Sequence, residues 1–162
     1  MKAGNRSWIV AAVVTVLVVA IGAGSASALS PEITVKASKH KSGPFTHDLQ
    51  HLNIPLDAKK TVYWQVKNKS DLDLGLSFDD AATGGNPDGF RISWFKGRKN
   101  VSSDVKGAGY DFPLKAHKRK LFAAVVRHNS TGVPGFCLGG QASGAIVFSD
   151  SSYFTVNDND CG

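Results

Sequence analysis

The chain has 162 residues and a formal charge of +6. Removal of an N-terminal leader of 28 residues leaves 134, enough for one domain and too few for two of ordinary size. Lys2 and Arg6 leave with the leader and no acid does, so the remainder carries +4. That mild excess suits solubility or an anionic cell-wall polymer or glycan, and is not read as a nucleic-acid-binding charge.

The leader comes first in chain order. Lys2 and Arg6 open it, an apolar run interrupted only by Thr15 extends from Trp8 to Ile21, and small residues close it. Ala26 and Ala28 supply the A-x-A spacing that a signal peptidase reads, so cleavage is expected after Ala28. An apolar run of about fifteen residues falls short of the roughly twenty that span a bilayer core. The expectation is a secreted, extracellular protein that meets the membrane only transiently, through its signal peptide.

Beyond the leader, residues 29–59 read as an N-terminal strand and linker belonging to the domain, and residues 60–162 as its body. The dominant period is two, that of strands with one buried face. Apolar residues alternate with polar ones in Ile33–Ala37, and Val62, Trp64 and Val66 share a face. Leu72, Leu74, Leu76 and Phe78 do the same, as do Phe90, Ile92 and Trp94. The stretch Leu121–Val126 is continuously apolar, which predicts a central strand covered on both sides. Ala145–Phe148 and Tyr153–Val156 supply the last two strands. Turn chemistry separates them at Asn68–Asp71, Gly84–Gly89 and Gly132–Gly135. About seven short strands without a helical stripe predict an all-β antiparallel sandwich. Trp64, Trp94, Phe78, Phe90, Phe122 and Phe148 are its expected core, while Tyr63 and Phe95 fall on the opposite parity.

The order of the segments then carries a resemblance. Val62-Tyr63-Trp64-Gln65-Val66-Lys67-Asn68 resembles the Asn-terminated strand that opens many bacterial secreted immunoglobulin-like domains. Asp88-Gly89-Phe90-Arg91-Ile92-Ser93-Trp94-Phe95-Lys96-Gly97 is similar to their next hairpin strand, and Asp104-Val105 with Gly109-Tyr110 to the motif after it. The likeness runs from Lys60 to Val156. It departs where relatives show a Pro-Gly turn, since this chain has Ala116-His117-Lys118-Arg119-Lys120. It implies an immunoglobulin-like fold and an envelope location, and it brings no catalytic residues.

Two cysteines, Cys137 and Cys161, both follow the leader. In an oxidising compartment an isolated pair predicts a disulfide, here pinning the C-terminus. The strongest binding signal is basic: Lys36–Lys41, then Lys96, Arg98 and Lys99, then Lys115, Lys118, Arg119 and Lys120. These are the candidate polyanion-binding residues if folding gathers them. His47 and His51, with His40 nearby, are weak metal candidates that lack a Glu or Cys partner. Asp79, Asp80, Asn86 and Asp88, and the run 157–160, are oxygen-rich but lack the spacing of an EF-hand loop. No nucleophile elbow, phosphate loop or dinucleotide fingerprint occurs, so no enzyme and no cofactor are expected. Asn68, Asn100 and Asn129 fit the glycosylation sequon. The alternatives are a small secreted enzyme or inhibitor, using loops such as Gly84–Gly89 or Val101–Tyr110, and a metal-binding extracellular module.

Overall fold

The computed structural model describes residues 33–81, 87–131, 135–144 and 148–157. The leader with Ala26 and Ala28, the amide Asn86 and Cys161 lie outside them. The described residues form β1 (Ile33–Ser38), β2 (Gln50–Leu52), β3 (Lys59–Asn68), β4 (Leu74–Asp80) and β5 (Phe90–Lys96). Then come β6 (Lys99–Asn100), the short helix α1 (Ser102–Lys106), β7 (Tyr110–Leu114), β8 (Arg119–His128), β9 (Phe136–Gly144) and β10 (Phe148–Val156).

The strands make two five-stranded sheets, ordered β1-β3-β8-β5-β6 and β2-β10-β9-β4-β7. Every pairing is antiparallel except that of β2 with β10. The expected all-β, mainly antiparallel sandwich is therefore present. Ten strands replace the seven foreseen, two of them only two and three residues long.

The period-two pattern works as predicted. Val62, Trp64 and Val66, with Ile92, Trp94, Phe122 and Val126, are buried against Phe78, Phe112, Leu114, Leu138 and Phe154 of the second sheet. Trp64 sits 4.8 Å from Trp94 and 5.3 Å from Phe154, ring centre to ring centre. Its indole N–H donates to the Ser152 carbonyl at 3.0 Å, so its one polar atom is satisfied inside the core. Phe78 and Phe122 stack between the sheets at 4.0 Å.

Asn68 accounts for the Asn-terminated strand motif. It is fully buried, and its amide donates to the carbonyls of Leu72 at 2.6 Å and Leu114 at 3.2 Å. Its oxygen accepts from the backbone N–H and hydroxyl of Ser70. One side chain thus closes the turn after β3 and ties it to the edge strand β7.

Several expectations need correction. The alternation through Leu72 does not extend the strand, because β4 begins at Leu74 and Leu72 is 56% exposed. Strands expected at Ala145–Phe148 and Tyr153–Val156 are replaced by the single β10, since Ser149–Ser152 are extended and pair with β9. Residues 145–147 and the side chain of Phe148 lie outside the description. The strand β9 was not foreseen, because FCLGGQASG lacks alternation. Its glycines are steric requirements: a Cβ at Gly140 would stand 2.7 Å from Trp64 and 2.8 Å from Phe78. The strand β7 contains Pro113, which an edge strand tolerates.

Candidate polyanion-binding face

The central strand β8 is covered on one side only, which corrects the expectation for Leu121–Val126. Phe122, Ala124 and Val126 enter the core, but Leu121, Ala123 and Val125 are only half-buried on the opposite face. Beside them stand Thr61 and Tyr63 of β3 and Phe95 of β5, also half-buried. Together with Lys41, Gly97 and Arg98 these residues line a groove of about 530 Å³ on the outer face of the first sheet. An adjoining depression of about 300 Å³ is lined by Lys41, Gln65, Arg119, Lys120 and Leu121.

Register decides the charge on this face. Lys59 pairs with Arg127, and Arg127 with Arg91, so three exposed cations form a row across three strands. At the other end Lys67 pairs with Arg119, both exposed. Like charges directly opposite each other on a sheet are mutually destabilising. Among the described residues the ion pairs His47–Asp150 and His117–Asp71 involve none of these five cations.

The basic clusters of the sequence are partly gathered. Lys96 and Lys99 reach over the Tyr110 ring at 5.2 and 5.1 Å, and Lys120 lies 5.4 Å from the Phe112 ring. Burial, then the neighbouring Lys96 ammonium, lowers the Lys120 pKa below that of an ordinary lysine, with Tyr110 opposing. Lys41 shares the groove with Arg98 and the depression with Arg119 and Lys120. Lys115 and Lys118 are exposed on the β7–β8 turn, and that turn docks elsewhere. There His117 meets Asp71 at 2.8 Å, and the Ala116 N–H donates to Asp73 at 2.9 Å. The gathered set is therefore Lys96, Arg98, Lys99, Arg119 and Lys120, joined by Lys41 and by the strand residues Lys59, Lys67, Arg91 and Arg127. Sequence reasoning missed the strand residues because they lie outside the long basic runs, at spacings that only sheet register brings into rows.

The outer face of the second sheet has the opposite character. A groove of about 730 Å³ there is lined by Asp73, Ser77, Asp111 and Ser143 among others. Close by, burial raises the Asp79 pKa above the ordinary carboxyl value; the Asp111 charge adds to this and a hydrogen bond from Ser77 opposes it.

Other candidate residues are used internally. His51 pairs with the hydroxyl of buried Thr155 at 2.7 Å, while His47 faces Asp150 at 3.8 Å, so the two histidines do not converge. Among the described residues no group of three or more metal-ligating side chains is present. Asn157 clamps Ile54, accepting from its N–H at 2.7 Å and donating to its carbonyl at 3.1 Å. Residues 158–160 lie outside the description. The segment Val101–Tyr110 is not an open polar loop. It contains α1, whose residue Val105 is buried with Val101 in the core. Asn68 is a buried structural residue, which places the first sequon out of reach of solvent. Cys137 is fully buried on β9.

No protein-family model matches the chain. No curated protein matches it either. Among solved structures, it is similar to part of a family 123 glycoside hydrolase from Clostridium perfringens, at a TM-score of 0.53 and 5% identity. That match covers 80% of this chain and 28% of the hydrolase, so the chain spans little more than a quarter of that protein's length. It also aligns with the N-terminal domain of PorA at a TM-score of 0.42 and 8% identity, covering 78% of this chain and 99% of that one. For an ASH/PapD-like domain of human CEP192 the TM-score is 0.40 and the identity 10%, over 79% of this chain and 87% of that one. At such identities the first likeness establishes a shared β-sandwich fold and nothing of activity.

Proposed function

We propose that this protein is a secreted, non-catalytic β-sandwich module that holds an anionic polymer of the cell envelope on the outer face of its first sheet. The observation that carries this reading is the pair of like-charge rows, Lys59–Arg127–Arg91 and Lys67–Arg119, which have no carboxylate ion-pair partner among the described residues. A polyanion laid across β3, β8 and β5 relieves repulsion that the fold leaves in place. The Lys96–Lys120 pair beside Tyr110 extends the same field to the sandwich edge. The leader, cleaved after Ala28, and a Cys137–Cys161 bridge complete the proposal of an extracellular location.

Retention of the mature protein on immobilised polyphosphate tests it. Binding is expected at low ionic strength and should be lost as salt shortens the Debye length to about 8 Å or less. Charge reversal at Arg91 and Arg127 together should abolish retention while leaving the melting temperature unchanged or higher. Retention that ignores both salt and these substitutions would overturn the electrostatic mechanism.

A further inference from the structure

The outer face of the first sheet is apolar at its middle as well as basic at its ends, and the charge rows do not explain the apolar part. Leu121, Ala123 and Val125 occupy every outward position in the middle of β8, and Tyr63 and Phe95 flank them from β3 and β5. On a solvent face such positions are ordinarily polar. Here they floor a concave groove of about 530 Å³, within the range of small-molecule sites. Among the described residues its charged lining is Lys41 and Arg98, both exposed, with no carboxylate. The groove on the opposite sheet is larger but is lined by Asp73 and Asp111, so the two faces differ in the sign of the ligand they suit. Concavity matters too. Among the described residues the large exposed apolar side chains are Leu49, Leu56 and Leu72, all off the strands of this face, so its described part presents no protruding anchor to a bilayer. A single molecule that enters the groove fits better than a membrane lying upon it.

We infer that this groove binds a single-chain amphiphile with an anionic head group, its chain over Ala123 and Val125 and its head between Lys41 and Arg98. The inference shares the face of the polymer reading and, of its basic residues, Lys41 and Arg98, but not the charge rows Lys59–Arg127–Arg91 and Lys67–Arg119. Titration calorimetry of the mature protein with dodecyl phosphate, kept below micelle formation, tests it. Saturable one-to-one binding is expected, at least about tenfold tighter than for dodecyltrimethylammonium or for inorganic phosphate alone.

Ala123→Trp fills the groove and should weaken dodecyl phosphate binding at least about tenfold, while salt-sensitive retention on polyphosphate persists. Lys41→Glu combined with Arg98→Glu alters exposed side chains alone and should weaken it similarly, which keeps the test decisive should Ala123→Trp fail to fold. Equal affinity for the cationic amphiphile would overturn the inference. So would binding untouched by these substitutions, or association with phosphatidylglycerol vesicles in the absence of monomer binding. Substitution of Arg91 and Arg127 should leave dodecyl phosphate binding intact, so the polymer reading and this one fail separately.

Discussion

Three single residues, Asn68, Gly140 and Asp79, yield predictions. Asn68 donates from one amide to two carbonyls of different segments. Replacing it by Ala removes the donor to the buried Leu114 carbonyl as well as the turn bond to Leu72, and should cost about 1–3 kcal/mol. Asn68→Asp should be at least as damaging, because a carboxylate cannot donate; chemical denaturation measures both. At Gly140 the missing Cβ makes room for the Trp64 indole and the Phe78 ring. Gly140→Ala is expected to destabilise by about 1–3 kcal/mol through overpacking and to shift the tryptophan emission. At Asp79 the folded state favours the protonated carboxyl, because burial penalises the charge. The penalty is absent below the ordinary value of 3.8 and grows as pH rises through the elevated folded-state value, so stability falls in that direction. Asp79→Asn should therefore raise the melting temperature at pH 7 and leave it near wild type at pH 3. A rise of the same size at both pH values would mean that titration is not the cause.

Among the elements, β1 depends on a contact that no local pattern announces. Its Val35 N–H donates to the Asp150 carboxylate of β10 at 2.6 Å, so a side chain of the second sheet holds the edge strand of the first. Asp150→Ala should loosen β1 and cost about 1–3 kcal/mol, whereas Asp150→Asn retains an acceptor and should cost less. Hydrogen exchange at Val35 separates the two. Strands with a clean alternation, β3 and β5, were legible from sequence because one buried face imposes period two. The strands β7 and β9 were not. Pro113 and the Gly139–Gly140 pair carry no alternating pattern, and only the edge position of β7 and the Trp64 indole packed over Gly140 show why they fit. For β8 the apolar run was legible as a central strand, but its outward half was assigned a cover that the fold does not provide. That error exposed the groove.

For the whole molecule, the address and the charge are the relevant quantities. Secretion predicts a mature protein whose intact mass corresponds to a chain starting at Leu29, carrying the Cys137–Cys161 bridge. Such a bridge closes a loop of about two dozen residues, worth about 3 kcal/mol, so reduction should lower the melting temperature by several degrees. A mass two protons heavier, with no change on reduction, would show free thiols instead. The net charge of +6 conceals an asymmetry between a basic outer face and one that carries Asp73, Asp79 and Asp111.

From its residues alone, the chain declares an all-β sandwich and an aromatic core, since hydrophobic periodicity and turn chemistry are local properties. Which basic residues stand together was decided only by the tertiary structure. Lys59, Arg91 and Arg127 are far apart in sequence and become neighbours through antiparallel register. Lys115 and Lys118 lie close to the gathered set in sequence yet belong to a turn anchored on acidic residues. A surface is built from side chains that alternate between faces and from strands that pair across long separations, so its charge emerges only when the sheet is assembled.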